Sequence, residues 1–166
     1  MSPAEHPFPH IRDWQRGYTR LRKHYQGGHG PIPPQLLDKA ESLYAELSAS
    51  METSVLLHSD LHHDNILAAT RTPWLAIDPK GLIGEPAYET GAFLRNPLPQ
   101  LLQCSDPHRL LERRIAIFAE ELSLSRQRIR DWATAQAVLS VWWSIEDTGK
   151  CDTVMLECAQ VLASIL

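Results

Sequence analysis

Apolar positions in the first part of the chain follow the period of amphipathic helices. They recur at spacings of four, three and four from Trp14 to Tyr25, which predicts a helix running to about His24. The glycine-rich stretch at 27–30 ends that helix. The proline pair at 33–34 begins a second helix, whose apolar face is formed by Leu36, Leu37, Ala40, Leu43, Tyr44 and Leu47. Two helices are therefore predicted before residue 50.

Short apolar runs replace this helical period in the middle of the chain. They cover residues 55–57, 65–69 and 74–77, and a polar turn at 70–73 separates the last two runs. This pattern predicts three short strands, of which the last two form a hairpin. Residues 79–86 contain two glycines and two prolines and are predicted to form an irregular loop.

The chain after Ala87 is predicted to be helical. Asp106 and Pro107 supply an N-cap and a first-turn proline, Ser125 caps a longer helix, and Asp152 starts a last helix ending at Leu166. The apolar side of the longer helix is formed by Ile129, Trp132, Ala133, Gln136, Leu139 and Trp143. The predicted fold class is therefore α+β, mainly α, with one small β hairpin.

Composition narrows the functional classes. A chain of 166 residues suits one domain, and its net charge of -4 argues against a general affinity for nucleic acid and weakly favours a cationic substrate. Cys104, Cys151 and Cys158 form no C-x-x-C pair, which indicates reduced thiols in a cytoplasmic protein. No apolar run approaches the ~18 residues of a membrane span, and no export signal is recognisable.

Candidate chemistry lies where the short strands end. His58, Asp60 and Asn65 fit the pattern His-x-Asp-x-x-x-x-Asn, the catalytic-loop spacing of the kinase fold, and Asp78 follows the predicted hairpin. Asp60 would accept the proton of an attacking hydroxyl, Asn65 and Asp78 would bind magnesium, and His58 would hydrogen-bond the loop backbone. Each residue alone is typical of a turn. Their ordered combination indicates phosphoryl transfer from ATP.

A second metal site competes with this interpretation. His58, His62, His63 and Asp64 are of the residue types that bind zinc and are closely spaced, which would indicate a zinc-dependent hydrolase. A zinc site would not require Asn65 and Asp78, whereas a hard cation such as magnesium would use both as oxygen ligands.

Three further residues are candidates for substrate binding. Lys80 closely follows the hairpin and either touches phosphate or substrate or is a solvated loop lysine. Glu146 and Asp147 follow Trp142 and Trp143 directly. They either lie in solvent at a helix end or bind a cation together with the aromatic faces.

Residues 56–67 (LLHSDLHHDNIL) and 74–89 (WLAIDPKGLIGEPAYE) resemble the two signatures of the aminoglycoside phosphotransferases, within them the streptomycin and hydroxyurea phosphotransferase branch. Similarity runs from about Phe8 to the C-terminus. The resemblance implies a protein-kinase-like C-terminal lobe, ATP as phosphoryl donor, Mg²⁺ as cofactor, and a small-molecule hydroxyl acceptor such as streptomycin. The roles it carries over are Asp60 as base, Asn65 and Asp78 as magnesium ligands, and Glu146 or Asp147 as contacts to a cationic sugar.

The chain departs from the family pattern at two loop positions. Ser59 and Asp64 replace family glycines, so a left-handed backbone at either position would be strained. Glu85 and Glu89 stand where the second signature usually has aspartate.

The resemblance also implies a domain plan. Residues 1–8 are expected to be an irregular segment and residues 9–166 the C-terminal lobe, with the N-terminal nucleotide-binding lobe absent. Phosphotransferase activity of the isolated chain is then expected to be very low, because positioning supplies most of the rate. The alternative is a catalytically dead remnant or partner-binding lobe that self-associates through the face left by the missing lobe.

Overall fold

The computed structural model describes residues 7–166, so most of the predicted irregular segment at 1–8 lies outside the described residues. The described part is mainly helical and holds two small two-stranded sheets. The helices are α1 (Ile11–Trp14), α2 (Arg16–His24), α3 (Pro34–Ala49), α4 (Pro86–Leu94), α5 (Gln100–Gln103), α6 (Pro107–Leu122), α7 (Arg126–Thr148) and α8 (Thr153–Ser164). The strands are β1 (Val55–Leu57), β2 (Ile66–Ala68), β3 (Trp74–Ala76) and β4 (Leu82–Gly84), and His63–Asn65 form a 3₁₀ helix before β2.

Helix α7 is the centre of the fold. It packs against α3, α4 and α8, with further contacts to α2 and α6. Residues 131–139 are all buried, so the middle of α7 is covered on every side. The sequence predicted an apolar surface on one side of this helix only, and that prediction underestimates how much of the helix is buried. Buried Gln136 is satisfied by a 2.6 Å hydrogen bond to the Tyr88 carbonyl and a 3.0 Å bond from Arg95. A helix surrounded by others needs no solvent face, provided that its polar groups find such partners.

The predicted helix starts are confirmed. The Asp106 carboxylate accepts from the Arg109 N–H at 2.9 Å, and the Asp152 carboxylate accepts from the Met155 N–H at 2.9 Å. The Ser125 hydroxyl accepts from an N–H in the first turn of α7 at 3.3 Å. Each cap satisfies a first-turn donor that has no partner inside its helix. The last helix ends at Ser164 rather than at the predicted Leu166.

The predicted hairpin is confirmed, but one strand was missed. β2 pairs with β3 in antiparallel register, Leu67 opposite Leu75. The segment predicted to be an irregular loop contains β4, which pairs antiparallel with β1 so that buried Leu82 lies opposite Leu57. Gly81 precedes this three-residue strand and Gly84 is its last residue, where a Cβ would lie 2.7 Å from Ile11. Its glycines therefore mark a close backbone contact rather than a loop.

Buried Glu85 fixes the start of α4 against α7. Its carboxylate accepts from Arg128 Nε at 2.5 Å and from the Trp132 indole N–H at 3.0 Å. The same guanidinium donates to the Leu47 carbonyl at the end of α3. One ion pair thus joins three helices behind the strands. Among the described residues, no helix is both long enough and apolar enough to cross a membrane.

Candidate active site

The first signature runs from β1 through the following loop into β2, and the second runs from β3 through β4 into α4. The two segments are joined by backbone hydrogen bonds: Lys80 N–H donates to the His58 carbonyl at 2.9 Å, and Ile77 N–H donates to the Asn65 carbonyl at 3.0 Å. The loop is therefore held on both sides by the segment that carries Asp78.

His58 lies inside this loop and holds its shape. Its Nε2 is 2.7 Å from the Ile77 carbonyl, so Nε2 must carry the proton because a carbonyl only accepts. The other ring nitrogen, Nδ1, then accepts from the Asp60 N–H at 3.3 Å. The neutral ring thereby links the segment after β3 to the backbone of Asp60. This geometry suits a role for His58 in holding the loop.

Asp60 makes an ion pair with Lys80. The Lys80 Nζ lies 2.9 Å from Asp60 Oδ2, and the two side chains are 51% and 22% exposed. Because both groups reach solvent, the pair contributes little to stability, about 0–1 kcal/mol. Its consequence is local: Lys80 holds a positive charge beside the candidate base, where phosphate or substrate oxygens would approach.

Asn65 and Asp78 present the oxygen atoms that a magnesium ion would need. Asn65 donates its side-chain amide to the Asp60 carbonyl at 2.9 Å, which leaves its Oδ1 free to ligate. Asp78 is exposed at a left-handed backbone position (φ 56°), and its carboxylate makes no hydrogen bond or ion pair within residues 7–166. One amide oxygen and one uncommitted carboxylate fit a hard cation that prefers oxygen ligands.

Ser59 adopts the left-handed backbone that glycine favours, with φ 68°. Its N–H donates to both carboxylate oxygens of Glu89, at 3.0 and 3.1 Å. Glu89 on α4 therefore braces the turn before Asp60. Asp64, the other residue at a family glycine position, does not have a positive φ and lies in the 3₁₀ helix. The role of Glu89 was missed from sequence, although its place in the second signature was the available signal.

The histidines of the loop point in different directions. His62 Nδ1 accepts from the Asp64 N–H at 3.3 Å, and the His63 ring stacks on Phe93 at 4.1 Å. Burial, with a smaller effect of nearby Arg114, lowers the pKa of His63. Within residues 7–166, no three His, Cys, Asp or Glu side chains are grouped as metal ligands would be. The arrangement therefore gives the zinc interpretation no geometric support.

A cleft of about 510 Å³ opens beside Lys80. It is lined by Asp13, Trp14, Arg20, Lys80, Trp143 and Asp147. The indole rings of Trp14 and Trp143 meet edge to face, 4.9 Å apart. Lys80 therefore connects the two features: it lines the cleft and also contacts Asp60, which is not among the lining residues.

The two predicted cation-binding carboxylates differ in their surroundings. Glu146 is bound by Arg20 through two hydrogen bonds, of 2.6 and 2.9 Å, and these bonds lower its pKa. Asp147 instead lines the cleft. The structure thus brings Asp147 and Lys80 together around one cavity, whereas Glu146 is already neutralised by its partner.

A sequence model of the aminoglycoside/hydroxyurea antibiotic resistance kinase family matches residues 1–148. The chain belongs to this kinase family. Among its relatives, streptomycin 6-kinase of Streptomyces glaucescens is 35% identical over 133 residues, which cover 80% of this chain and 43% of that protein. Streptomycin 3''-kinase of Klebsiella pneumoniae is 32% identical over 152 residues, 87% of this chain and 51% of that kinase.

A further member of the family, hydroxyurea phosphotransferase of Kitasatospora aureofaciens, is 35% identical over 113 residues, 68% of this chain and 31% of that enzyme. The chain therefore spans about half the length, or less, of these kinases. No solved structure matches the chain.

Proposed function

We propose that residues 9–166 form a protein-kinase-like C-terminal lobe with the catalytic and acceptor-binding half of an ATP-dependent phosphotransferase. The observation that carries this proposal is the Asp60–Lys80 pair, whose residues belong to the two family signatures and whose lysine lines the cleft. Membership of a kinase family supports the reaction class. A cytoplasmic location stays a prediction, supported by three free cysteines.

The acceptor is a small hydroxyl compound bound in the cleft. Asp60 orients its hydroxyl and accepts the proton as the new oxygen–phosphorus bond forms and the bond to the ADP leaving group breaks. Asp147 and the indole rings of Trp14 and Trp143 suit a cationic acceptor such as an aminoglycoside. Glu89 and His58 act through the backbone, by fixing the turn that carries Asp60.

Magnesium and ATP complete the site. Asn65 Oδ1 and the Asp78 carboxylate would hold Mg²⁺, which when bound neutralises the charge of the phosphates. Lys80 adds a further positive charge beside Asp60.

The test is transfer of the γ-phosphoryl group from ATP to streptomycin. The purified chain is expected to transfer phosphate at a very low rate, and the matched substitutions Asp60→Asn and Asp60→Ala should abolish it. A chimera in which this chain replaces the matching 43% of the Streptomyces glaucescens kinase should transfer at a much higher rate. Transfer that survives Asp60→Ala would contradict the assigned base.

A second candidate function is a catalytically inactive, partner-binding lobe, and exposed apolar side chains on the strands favour it. Five residues of β1, β2 and β3 are between 43% and 68% exposed: Val55, Leu56, Leu67, Trp74 and Leu75. Exposed apolar side chains are common at association sites when they form one patch, and their number on these strands supports self-association. Sedimentation of the wild type and of Trp74→Ser tests this: a monomer at all concentrations would exclude self-association, and a folded chimera without phosphotransfer would favour the inactive lobe.

A further inference from the structure

Three arginines line one cavity away from the candidate active site. The cavity measures about 820 Å³ and lies where α5, the first turns of α6 and the start of α7 meet. Arg109 and Arg113 reach it from α6, and Arg126 reaches it from α7. The lining shares no residue with the cleft at Lys80. The cavity is therefore a separate feature of the surface.

None of these three guanidinium groups bonds to a carboxylate within residues 7–166, although two acidic residues line the same cavity. Asp106 uses its carboxylate to cap α6 through the Arg109 backbone N–H at 2.9 Å. Glu112 lies 3.8 Å from His108 on its own helix. Elsewhere in the molecule some arginines are paired with carboxylates, namely Arg20 with Glu146, Arg22 with Glu41, Arg128 with Glu85 and Arg130 with Asp131, and Arg12, Arg95 and Arg114 donate to carbonyl or amide oxygens. The three arginines and two carboxylates give the lining a formal charge of +1, in a chain of net charge -4.

Their positions make these arginines unfavourable for the fold itself. Arg109 and Arg113 are four residues apart on one helix, a spacing at which like charges repel. Arg126 is the first residue of the 23-residue α7, where the helix dipole is positive and disfavours a cation. Asp106 and Glu112, each three residues from Arg109, offset part of this repulsion. An anion in the cavity would offset the rest by adding an attraction to each guanidinium.

We propose that this cavity binds a phosphate-bearing anion. Guanidinium groups present a planar fork of N–H donors that matches phosphate oxygens and forms short, charge-assisted hydrogen bonds. The Ser105 hydroxyl lines the same cavity as a further donor. The volume lies in the range of sites for small molecules, so it accommodates an oligophosphate as well as the phosphate chain of a nucleotide.

The experiment is a titration of the ¹⁵N-labelled chain with tripolyphosphate in the presence of EDTA, followed by amide and arginine Nε signals. EDTA removes the divalent ion that phosphate binding at Asn65 and Asp78 would require. We expect saturable shifts confined to residues 104–113 and to the start of α7, with affinity that falls as salt rises. An ATP titration under the same conditions separates the two sources: equal affinity identifies the phosphates as the ligand, and tighter ATP binding adds a nucleoside contact.

The test variant is Arg109→Gln combined with Arg113→Gln, and the control is Arg71→Gln, which removes an exposed arginine of the β2–β3 turn. We expect tripolyphosphate affinity to fall about tenfold or more in the double variant and to be unchanged in the control. Thermal unfolding by circular dichroism verifies that both variants are folded. Equal affinity in all three proteins, shifts centred on residues 58–80, or no saturable shift would each overturn the proposal.

Discussion

The backbone of Ser59 gives the sharpest prediction about stability, because its partner position provides a matched control. Ser59 has a φ of 68° and Asp64 does not have a positive φ, yet both stand where the family pattern has glycine. Ser59→Gly should therefore stabilise the fold, whereas Asp64→Gly should destabilise it. Substitution by glycine is therefore expected to change stability in opposite directions at two positions five residues apart.

The magnitude follows from two opposing terms. A left-handed backbone costs an L-residue about 1–2 kcal/mol, which glycine would relieve. Glycine also gives the unfolded chain more conformational freedom, which lowers the stability of the fold by about 0.5–1 kcal/mol. The Ser59 hydroxyl lies 3.5 Å from the Leu57 carbonyl, a distance too long for a strong hydrogen bond, so its loss adds little. The free energy of unfolding should rise by about 0.5–1 kcal/mol in Ser59→Gly. It should fall by about 0.5–1 kcal/mol in Asp64→Gly, because only the entropy term remains.

Urea unfolding at neutral pH measures both changes directly, and thermal unfolding provides a second reading. For a chain of this length, 1 kcal/mol corresponds to roughly 2–4 °C in Tm. A destabilised Ser59→Gly, or changes of the same sign in both variants, would refute the argument that strain at Ser59 is released by glycine. Equal m-values in the wild type and both variants would show that neither substitution changes the surface exposed on unfolding, so that the shifts in midpoint report changes in stability.

Three further predictions concern other contacts. Glu89→Gln should lower the free energy of unfolding by about 1–2 kcal/mol in urea, because a neutral amide offers the Ser59 N–H one acceptor in place of a carboxylate; an unchanged midpoint would contradict this. Burial raises the pKa of Cys158 to about 12. Because the thiolate is the reactive form, native Cys158 should react with iodoacetamide at pH 8 about a thousandfold more slowly than an ordinary thiol. Labelling of the native protein as fast as in urea would contradict this prediction. Arg20 lowers the pKa of Glu146 below its ordinary value of 4.5. The wild type should therefore be more stable than Glu146→Gln above pH 4.5, by less than about 1 kcal/mol, and this difference should vanish as the pH falls through the lowered pKa. A difference in stability that grows in acid would contradict this prediction.

The sequence predicted those features that depend on near neighbours. Capping at Asp106, Ser125 and Asp152 is decided within three residues, and the β2–β3 hairpin is decided by two apolar runs and the turn between them. Local patterns of this kind are set by backbone donors and by hydrophobic period, which a single sequence shows directly.

The missed features depend on distant partners. β4 is three residues long and forms because Leu82 is buried against β1, some 25 residues earlier in the chain. Burial of α7 on all sides results from helices that lie far apart in sequence. The ion pair between Arg20 and Glu146 joins the two ends of the chain, so no local pattern could show that this carboxylate is already engaged.

The candidate site also combines features that the sequence shows with features that only the fold shows. The spacing of Asp60, Asn65 and Asp78 could be recognised from the sequence, and their assigned roles stay predictions. The contact of Lys80 with Asp60 and the bracing of Ser59 by Glu89 required the fold, because each joins segments 20 or 30 residues apart.

The proposed function depends on Asp60 acting as the base of a phosphotransferase. This role is tested by transfer of ³²P from the γ-position of ATP to streptomycin by the chimera with the Streptomyces glaucescens kinase, compared with the same chimera carrying Asp60→Ala. Labelled streptomycin is expected from the first protein and none above background from the second. A folded chimera without transfer, or transfer that survives Asp60→Ala, would contradict it.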